Sequence, residues 1–166
     1  MGVGNIMIDT LEDNREKAYE LEIEEIIERN LIDGQSINSK LQTPSSKEDL
    51  PTDVPQSPTR SHANSYSRAF ALMTMHRPSN VDEKQILEPL FNFLNDQVAT
   101  DMPLIWPIHP RSQKRLQEFG LWEKALNSER LILLHPVDYH EMLRLNMDAR
   151  LMLTDSGGLQ EECCVL

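Results

Sequence analysis

Residues 151–164 read LMLTDSGGLQEECC, and this stretch decides the fold class. Its first four residues form a short apolar run that predicts a buried strand, and the residues from Leu159 onwards predict a helix. A single short turn, residues 155–158, separates the two. A buried strand that leads directly into a helix is the building unit of α/β proteins with a parallel sheet.

The same alternation extends upstream through residues 67–166. Apolar runs predict four strands in all, at residues 69–75, 104–108, 131–134 and 151–154. Amphipathic stretches predict helices between them, at residues 82–98, 111–126 and 138–147, with a kink or a division at Pro89. Near-continuous apolar strands are typical of a sheet that helices cover on both faces. We therefore predict an α/β fold with a Rossmann-like parallel sheet of at least four strands.

Polar residues follow each predicted strand at its carboxyl end. In chain order they are His76 with Arg77, His109, His135, and Asp155 with Ser156. In an open α/β sheet the ligand crevice lies at the carboxyl ends of the strands. We therefore predict that His76, His109 and Ser156 converge on one edge of the sheet and form a site.

The turn Ser156-Gly157-Gly158 predicts a seat for a phosphate or diphosphate. Two glycines let the backbone approach a ligand closely, and the free N–H groups of a first helical turn point at an anion. Glu161 and Glu162 follow in that turn, where a carboxylate can accept hydrogen bonds from a vicinal diol such as a ribose. The alternative is a plain strand–helix turn in which both glutamates only complement the helix dipole.

His76 and Arg77 form a second cluster, because an imidazole beside a guanidinium suits a diphosphate. The alternative for a histidine at a strand end is a structural, hydrogen-bonded role. His62 and His140 occupy polar stretches and are predicted to face solvent. No histidine pair has the i, i+4 spacing of a helical metal site, so we predict no metal and no cofactor.

The chain divides into three predicted parts. Residues 1–33 carry most of the net negative charge, −7 of −11, and residues 10–31 predict an N-terminal acidic helix in which Asp9 or Thr10 is the cap. Residues 34–66 contain four prolines and seven serines, which predicts a disordered linker or insertion. Residues 67–166 form the predicted sheet domain.

Composition excludes several classes of function. The net charge of −11 argues against a nucleic-acid partner, since such proteins concentrate Lys and Arg on one face. No apolar run approaches the roughly 18 residues that span a bilayer, and the N-terminus does not resemble a signal peptide. Cys163 and Cys164 are adjacent, so neither a disulfide framework nor a cysteine zinc site is predicted. We expect a cytoplasmic protein without a membrane or nucleic-acid partner.

Four segments in the same order resemble the non-hydrolysing UDP-N-acetylglucosamine 2-epimerases. They are VGNIMID at 3–9, MHRPSNVD at 75–82, PIHPR at 107–111 and LTDSGGLQEE at 153–162. The resemblance covers residues 1–33 and 67–166. It implies that residues 1–33 are the end of a first domain with an inter-domain helix, and that residues 67–166 are a truncated UDP-binding, Rossmann-like domain. It implies half of a two-domain, GT-B-like architecture and the conversion of UDP-GlcNAc to UDP-ManNAc by elimination and re-addition of UDP.

The resemblance also implies roles for individual residues. His76 is the candidate catalytic residue and contacts the diphosphate region, with Arg77 and Asn80 in the same motif assigned to the UDP site. The remaining implied UDP contacts are those of His109, the amides of Ser156, Gly157 and Gly158, and Glu162 on the ribose hydroxyls.

We further expect a truncated chain, the middle piece of an epimerase, without the first domain that carries the acid and base acting at C2. Members of the family that the chain resembles form homodimers, so the resemblance implies a homodimer. The alternatives are an inactive remnant that binds a nucleotide sugar or another protein, and a glycosyltransferase-like binder of a nucleotide sugar.

Overall fold

The computed structural model describes residues 6–35 and 69–164, and a four-stranded sheet forms its centre. The strands are β1 (Ala71–Thr74), β2 (Leu104–Pro107), β3 (Leu131–Leu134) and β4 (Leu151–Thr154). All are parallel, in the spatial order β3–β2–β1–β4. The predicted α/β class and parallel sheet are confirmed, although β1 and β2 are shorter than predicted.

Helices connect the strands and precede the sheet. They are α1 (Ile6–Tyr19), α2 (Ile23–Asn30), α3 (Pro78–Val81), α4 (Lys84–Phe93), α5 (Ala99–Asp101), α6 (Pro110–Glu118), α7 (Trp122–Leu126), α8 (Tyr139–Asp148) and α9 (Gly157–Cys163). A π-helical turn at Leu94–Val98 joins α4 to α5.

The prediction of one N-terminal helix over residues 10–31 is wrong, because the chain breaks between α1 and α2. The Leu21 N–H donates to the Ala18 carbonyl, which closes the end of α1. Ala18 packs against Leu143, whereas Ile26 of α2 packs against the sheet. A single straight helix cannot place Ala18 against Leu143 and Ile26 against the sheet at the same time. The predicted caps Asp9 and Thr10 lie inside α1.

The predicted helix at residues 111–126 also divides, into α6 and α7. Gly120 lies between them with a φ of +76°, a left-handed conformation that favours glycine. The Leu121 N–H then donates to the Leu116 carbonyl at 2.8 Å. By contrast, α4 runs through Pro89, and the irregular π-helical turn begins only at Leu94. Of the two outcomes predicted for Pro89, the division is wrong, and the kink stays a prediction.

The side chains of the sheet alternate between two apolar layers, and helices cover both. One layer comprises Met73, Trp106 and Leu133 with Phe91 and Leu116 from α4 and α6. The other comprises Leu72, Ile105 and Ile132 with Ile26 and Leu145 from α2 and α8. These side chains are almost completely buried. The acidic helix α2 is thus part of the core of the sheet domain.

The chain after α2 covers the outer edge of β3. The Ile32 N–H donates to the Leu133 carbonyl at 3.1 Å, and the His135 N–H donates to the Asn30 carbonyl at 2.7 Å. Gly34, with a φ of +94°, then turns the chain back towards the sheet. The Gln35 side chain accepts from the Leu133 N–H at 2.9 Å.

The predicted linker at residues 34–66 begins at this contact. Apart from Gly34 and Gln35, it lies outside the described residues, so its disorder stays a prediction, as do the three domain boundaries. Within the described ranges, no helix has the length and apolar character needed to cross a membrane.

Candidate functional site

Three of the predicted site residues follow neighbouring strands. His76 follows β1, His109 follows β2 and Ser156 follows β4, and β1 lies between the other two strands. The rings of His76 and His109 are 5.5 Å apart, centre to centre, and tilted by 36°. The structure therefore brings these residues to one edge of the sheet. His135 follows β3 at the far side, where it is exposed and where its backbone contacts Asn30.

Asp155 lies at the centre of the site. Its carboxylate accepts from the backbone N–H of His76 at 3.0 and 3.1 Å and from the N–H of Arg77 at 2.8 Å. It also accepts from Asn80 Nδ2 at 3.0 Å, and its Oδ1 lies 3.0 Å from Nδ1 of the His76 ring. One carboxylate thus ties the loop after β1 to the loop after β4.

The sequence analysis did not assign a role to Asp155. The available signal was an acidic residue directly after an apolar run that predicts a strand, while another predicted strand is followed by His-Arg. Burial opposes ionisation of this carboxyl. Hydrogen bonds from Arg77, Asn80 and His76 outweigh burial and hold the pKa of Asp155 below its ordinary value. Asp155 is therefore a carboxylate at neutral pH.

The two histidines of the site have opposite hydrogen-bonding patterns. Nδ1 of His76 faces the Asp155 carboxylate, which can only accept, so this nitrogen carries a proton. His109 caps α6, and its Nδ1 accepts from the Arg111 backbone N–H at 3.1 Å. In neutral His109 the proton therefore lies on Nε2.

The turn after β4 has fewer free amides than predicted. The Ser156 N–H donates to Oγ1 of Thr154 at 2.9 Å, and that hydroxyl lies 2.7 Å from Oγ1 of Thr74 on β1. Ser156 is the N-cap of α9, so Gly157 and Gly158 occupy the first helical positions, whose N–H groups have no acceptor within the helix. Both glycines are exposed.

The two arginines near the site differ in their partners. Arg111 donates from Nη2 and Nε to the Asp82 carboxylate at 2.7 and 2.9 Å. Arg77 is exposed, and Nη2 of its guanidinium lies 3.9 Å from where a Cβ on Gly157 would be. Within residues 6–35 and 69–164, the Arg77 guanidinium forms no ion pair. Arg77 is therefore the cation that an anion at Gly157 would meet.

Glu162 lies on α9, where its side chain is half-buried. Burial raises the pKa of Glu162 above its ordinary value. Burial and, second, the negative charge of Glu162 raise the pKa of Tyr139 at the first position of α8. The charge of Glu162 thus acts on Tyr139, a residue that the sequence analysis did not single out.

Two other predicted residues have structural partners. Asn80 donates to Asp155, and its Oδ1 accepts from the Ser79 hydroxyl at 3.3 Å. His140, predicted to face solvent, is half-buried, and its Nε2 lies 2.9 Å from Oδ1 of Asn14 on α1. In the described part of the chain, no group of three His, Cys, Asp or Glu side chains could hold a metal ion.

A parallel α/β sheet with its polar residues gathered at the carboxyl ends of the strands defines a Rossmann-like protein, a class in which ligands bind at that edge. Comparison with known proteins narrows this class. The sequence profile of the UDP-N-acetylglucosamine 2-epimerases matches residues 1–166, and the chain belongs to that family.

Individual relatives agree with this assignment. A UDP-N-acetylglucosamine 2-epimerase of Methanocaldococcus jannaschii is 43% identical over 101 residues, which cover 58% of this chain and 27% of the relative. A UDP-N-acetylglucosamine 2-epimerase of Methanococcus maripaludis is 44% identical over 98 residues, with the same coverage. The chain therefore spans about a quarter of the length of these curated relatives.

Solved structures agree with the fold. The UDP-GlcNAc 2-epimerase of M. jannaschii superposes with a TM-score of 0.64 at 30% identity, over 99% of this chain and 37% of that protein. The same enzyme in complex with UDP-GlcNAc and UDP gives a TM-score of 0.62 at 29% identity, over 99% and 36%.

Proposed function

We propose that this chain carries a UDP-binding half-site of a UDP-N-acetylglucosamine 2-epimerase. The observation that carries the proposal is the cluster around Asp155, which joins the His76-Arg77 loop to the Ser-Gly-Gly turn at the crevice edge. Family membership supplies the ligand class, because the M. jannaschii relative was solved with UDP-GlcNAc and UDP.

Each group of the half-site has a proposed task. The amides of Gly157 and Gly158 and the guanidinium of Arg77 bind the diphosphate, since N–H groups and a cation are the complement of its charge. When its ring carries both protons, His76 donates from Nε2 to the same diphosphate, whose oxygens can only accept, while Nδ1 faces Asp155. Ser156, whose N–H is already used by Thr154, forms the turn rather than the amide seat.

The nucleoside end of the ligand is assigned to the remaining residues. Glu162 accepts hydrogen bonds from the ribose hydroxyls, and His109 donates to the nucleotide from Nε2. Asn80 holds Asp155, and its direct contact with UDP stays a prediction. In this proposal the groups that bind the diphosphate assist the departure of UDP. No residue of this chain is assigned to proton transfer at C2.

The interaction-fragment alternative receives less support. It requires the acidic helices to offer an apolar face to another protein. Leu11 and Ala18 of α1 and Ile26 and Ile27 of α2 are instead buried within this chain. The binding of a nucleotide sugar by an inactive remnant is the second candidate, and it would use the same residues for UDP.

The test is calorimetric titration of the 166-residue chain with UDP. We expect binding, an affinity loss of about tenfold or more for Gly157→Val, and a smaller loss for Gly157→Ala. A Cβ at Gly157 meets only Arg77 Nη2 at 3.9 Å, so alanine fits, whereas the branches of valine obstruct the anion seat. Glu123→Gln, an exposed change on α7, is the control.

Two results would contradict the proposal. One is an absence of UDP binding by the folded chain, and the other is an affinity unchanged by both Gly157→Val and Glu162→Gln. Incubation with UDP-GlcNAc is the companion measurement. We expect no UDP-ManNAc from this chain alone, because positioned acid and base groups each contribute about 10²–10⁴-fold and none is assigned here.

A further inference from the structure

We propose that Asp155 is a positioning residue that fixes the tautomer and the orientation of the His76 ring. Asp155 presents its carboxylate to Nδ1 of His76, which leaves Nε2 as the ring nitrogen that serves the ligand. The importance of this arrangement for UDP rests on the proposed function, but the arrangement itself can be tested without any ligand.

The carboxylate of Asp155 is itself held in place. It accepts from two backbone N–H groups, those of His76 and Arg77, and from the side chain of Asn80. Its side chain is only 10% exposed, whereas that of His76 is 40% exposed. The buried partner is therefore rigidly placed, and the exposed ring takes its orientation from it.

A flipped ring would lose the contact with Asp155. Rotation of the imidazole by 180° exchanges Nδ1 for a carbon atom, which cannot donate a comparable hydrogen bond to a carboxylate. Because hydrogen bonds to ionised groups are roughly twice as strong as neutral ones, the observed orientation is strongly preferred. The tautomer follows, since a carboxylate requires a proton on Nδ1.

The neighbouring His109 has the opposite hydrogen-bonding pattern to His76. Its Nδ1 accepts from the Arg111 backbone, so neutral His109 presents a donor at Nε2. Neutral His76, held by Asp155, presents an acceptor at Nε2, and the two rings are 5.5 Å apart. This edge of the sheet therefore offers one donor and one acceptor of fixed identity when both rings are neutral, and the exposed Arg77 guanidinium belongs to the same loop as His76.

The first experiment is a long-range ¹H–¹⁵N spectrum of the labelled 166-residue chain at about pH 8.5, above the usual imidazole range. His76→Gln and His109→Gln assign the signals. We expect His76 to carry its proton on Nδ1 and His109 on Nε2. A wild-type His76 protonated on Nε2 would overturn the proposal, whatever any variant does.

Variants of the carboxylate provide the second readout. In Asp155→Ala the ratio of the two His76 tautomers is expected to move towards Nε2–H by about tenfold or more, the equivalent of one charge-assisted hydrogen bond. Asp155→Asn retains an acceptor oxygen and is expected to restore part of the Nδ1–H form. Glu123→Gln, the exposed change on α7, is the control and should leave the ratio unchanged. If Asp155→Ala does not fold, Asp155→Asn and the wild-type spectrum decide.

UDP titration separates this proposal from the proposed function. We expect Asp155→Asn to lower UDP affinity several-fold in the wild-type background but not in a His76→Gln background, because the residue acts through the ring. If the wild type does not bind UDP, the proposed function fails while the tautomer result stands. If UDP binds and Asp155→Ala changes neither tautomer nor affinity, the positioning role is wrong and the UDP site remains.

Discussion

Asp82 receives both hydrogen bonds of the Arg111 guanidinium, at 2.7 and 2.9 Å, and a third from Nε of Arg115 at 3.1 Å. This cluster links the loop after β1 to the first turns of α6. The buried hydroxyl of Ser112 on α6 also donates to the carbonyl of Met75, which follows β1. The two loops that carry His76 and His109 are thus fixed to each other. The Arg111 guanidinium is bound to Asp82 in this cluster, whereas the exposed Arg77 guanidinium can bind an anion.

The first prediction concerns the pH dependence of this link. Hydrogen bonds from Arg111, followed by those from Arg115, lower the pKa of Asp82 from 3.8 to about 2. Because the folded value lies below the unfolded one, the stabilisation is complete above pH 3.8 and disappears as the pH falls towards 2. Asp82→Asn should therefore unfold at lower urea than wild type at neutral pH, with a gap that narrows through this window. Asp101→Asn, an exposed carboxylate, is the control, and a gap that is constant with pH would contradict the assignment.

The strands could be predicted from sequence because buried parallel strands are continuous apolar runs, as β1, β2 and β3 are. The predicted burial of β4 is wrong, because β4 is an edge strand whose residues are half-buried and whose Leu151 is exposed. The helix ends were harder to predict. The division between α1 and α2 depends on Ala18 and Ile26 packing against different partners, which periodicity within one segment does not reveal. Gly120 was a visible signal for the end of α6, but only its positive φ identifies it as the point of division.

The site could be predicted in part. Polar strand ends predicted that His76, His109 and Ser156 would share an edge, since that follows from a parallel sheet. The role of Asp155 did not follow, because its partners lie 75 to 79 residues away and the strand order β1–β4 cannot be read from hydropathy. The use of the Ser156 amide by Thr154 depends on the same strand pairing.

The second prediction concerns Glu141, which is 4% exposed. Its carboxylate accepts from Asn30 at 3.1 Å and Arg29 at 3.2 Å, and it completes a capping box with Asp138. Glu141→Ala removes the acceptor that joins Asn30 and Arg29 of α2 to the capping box of α8, although Asn30 keeps the Ile26 carbonyl and Arg29 faces water. The change should lower the free energy of unfolding by about 2 kcal/mol. Asp138→Ala removes the cap but not the contact with α2, so its loss should be smaller. Denaturant titration measures both, and equal losses would contradict a role in docking α2.

The third prediction concerns Gln35 at the edge of β3. Its Oε1 accepts from the Leu133 N–H, and its Nε2 donates to the Leu131 carbonyl at 3.3 Å. Gln35→Ala exposes a stretch of strand edge and should lower the free energy of unfolding by about 1.5 kcal/mol. It should also accelerate amide exchange at Leu133. Gln117→Ala, at an exposed position of α6, is the control, and unchanged exchange at Leu133 would argue against the contact.

The last prediction sets stability against binding at Glu162. Burial raises the pKa of Glu162 above its ordinary value of 4.5, so the folded chain binds this proton more tightly than the unfolded chain. Stability attributable to Glu162 is therefore present below pH 4.5 and lost as the pH rises through the raised pKa. At neutral pH the ionised carboxylate destabilises the fold, and Glu162→Gln should remove that effect.

Glu162→Gln should accordingly require more urea to unfold than wild type at neutral pH, with no difference below pH 4.5. The same variant should bind UDP about tenfold more weakly, because an amide offers one acceptor oxygen where the carboxylate offers two to the ribose diol. Urea titration and calorimetry on the same preparations measure the two effects, and Glu123→Gln should change neither. A variant that gains stability without losing affinity would separate the burial of Glu162 from any contact with the ribose. A variant that loses both stability and UDP affinity would mean that the Glu162 carboxylate accepts a hydrogen bond that the fold needs. In that case its ionised form would stabilise the fold, contrary to this prediction.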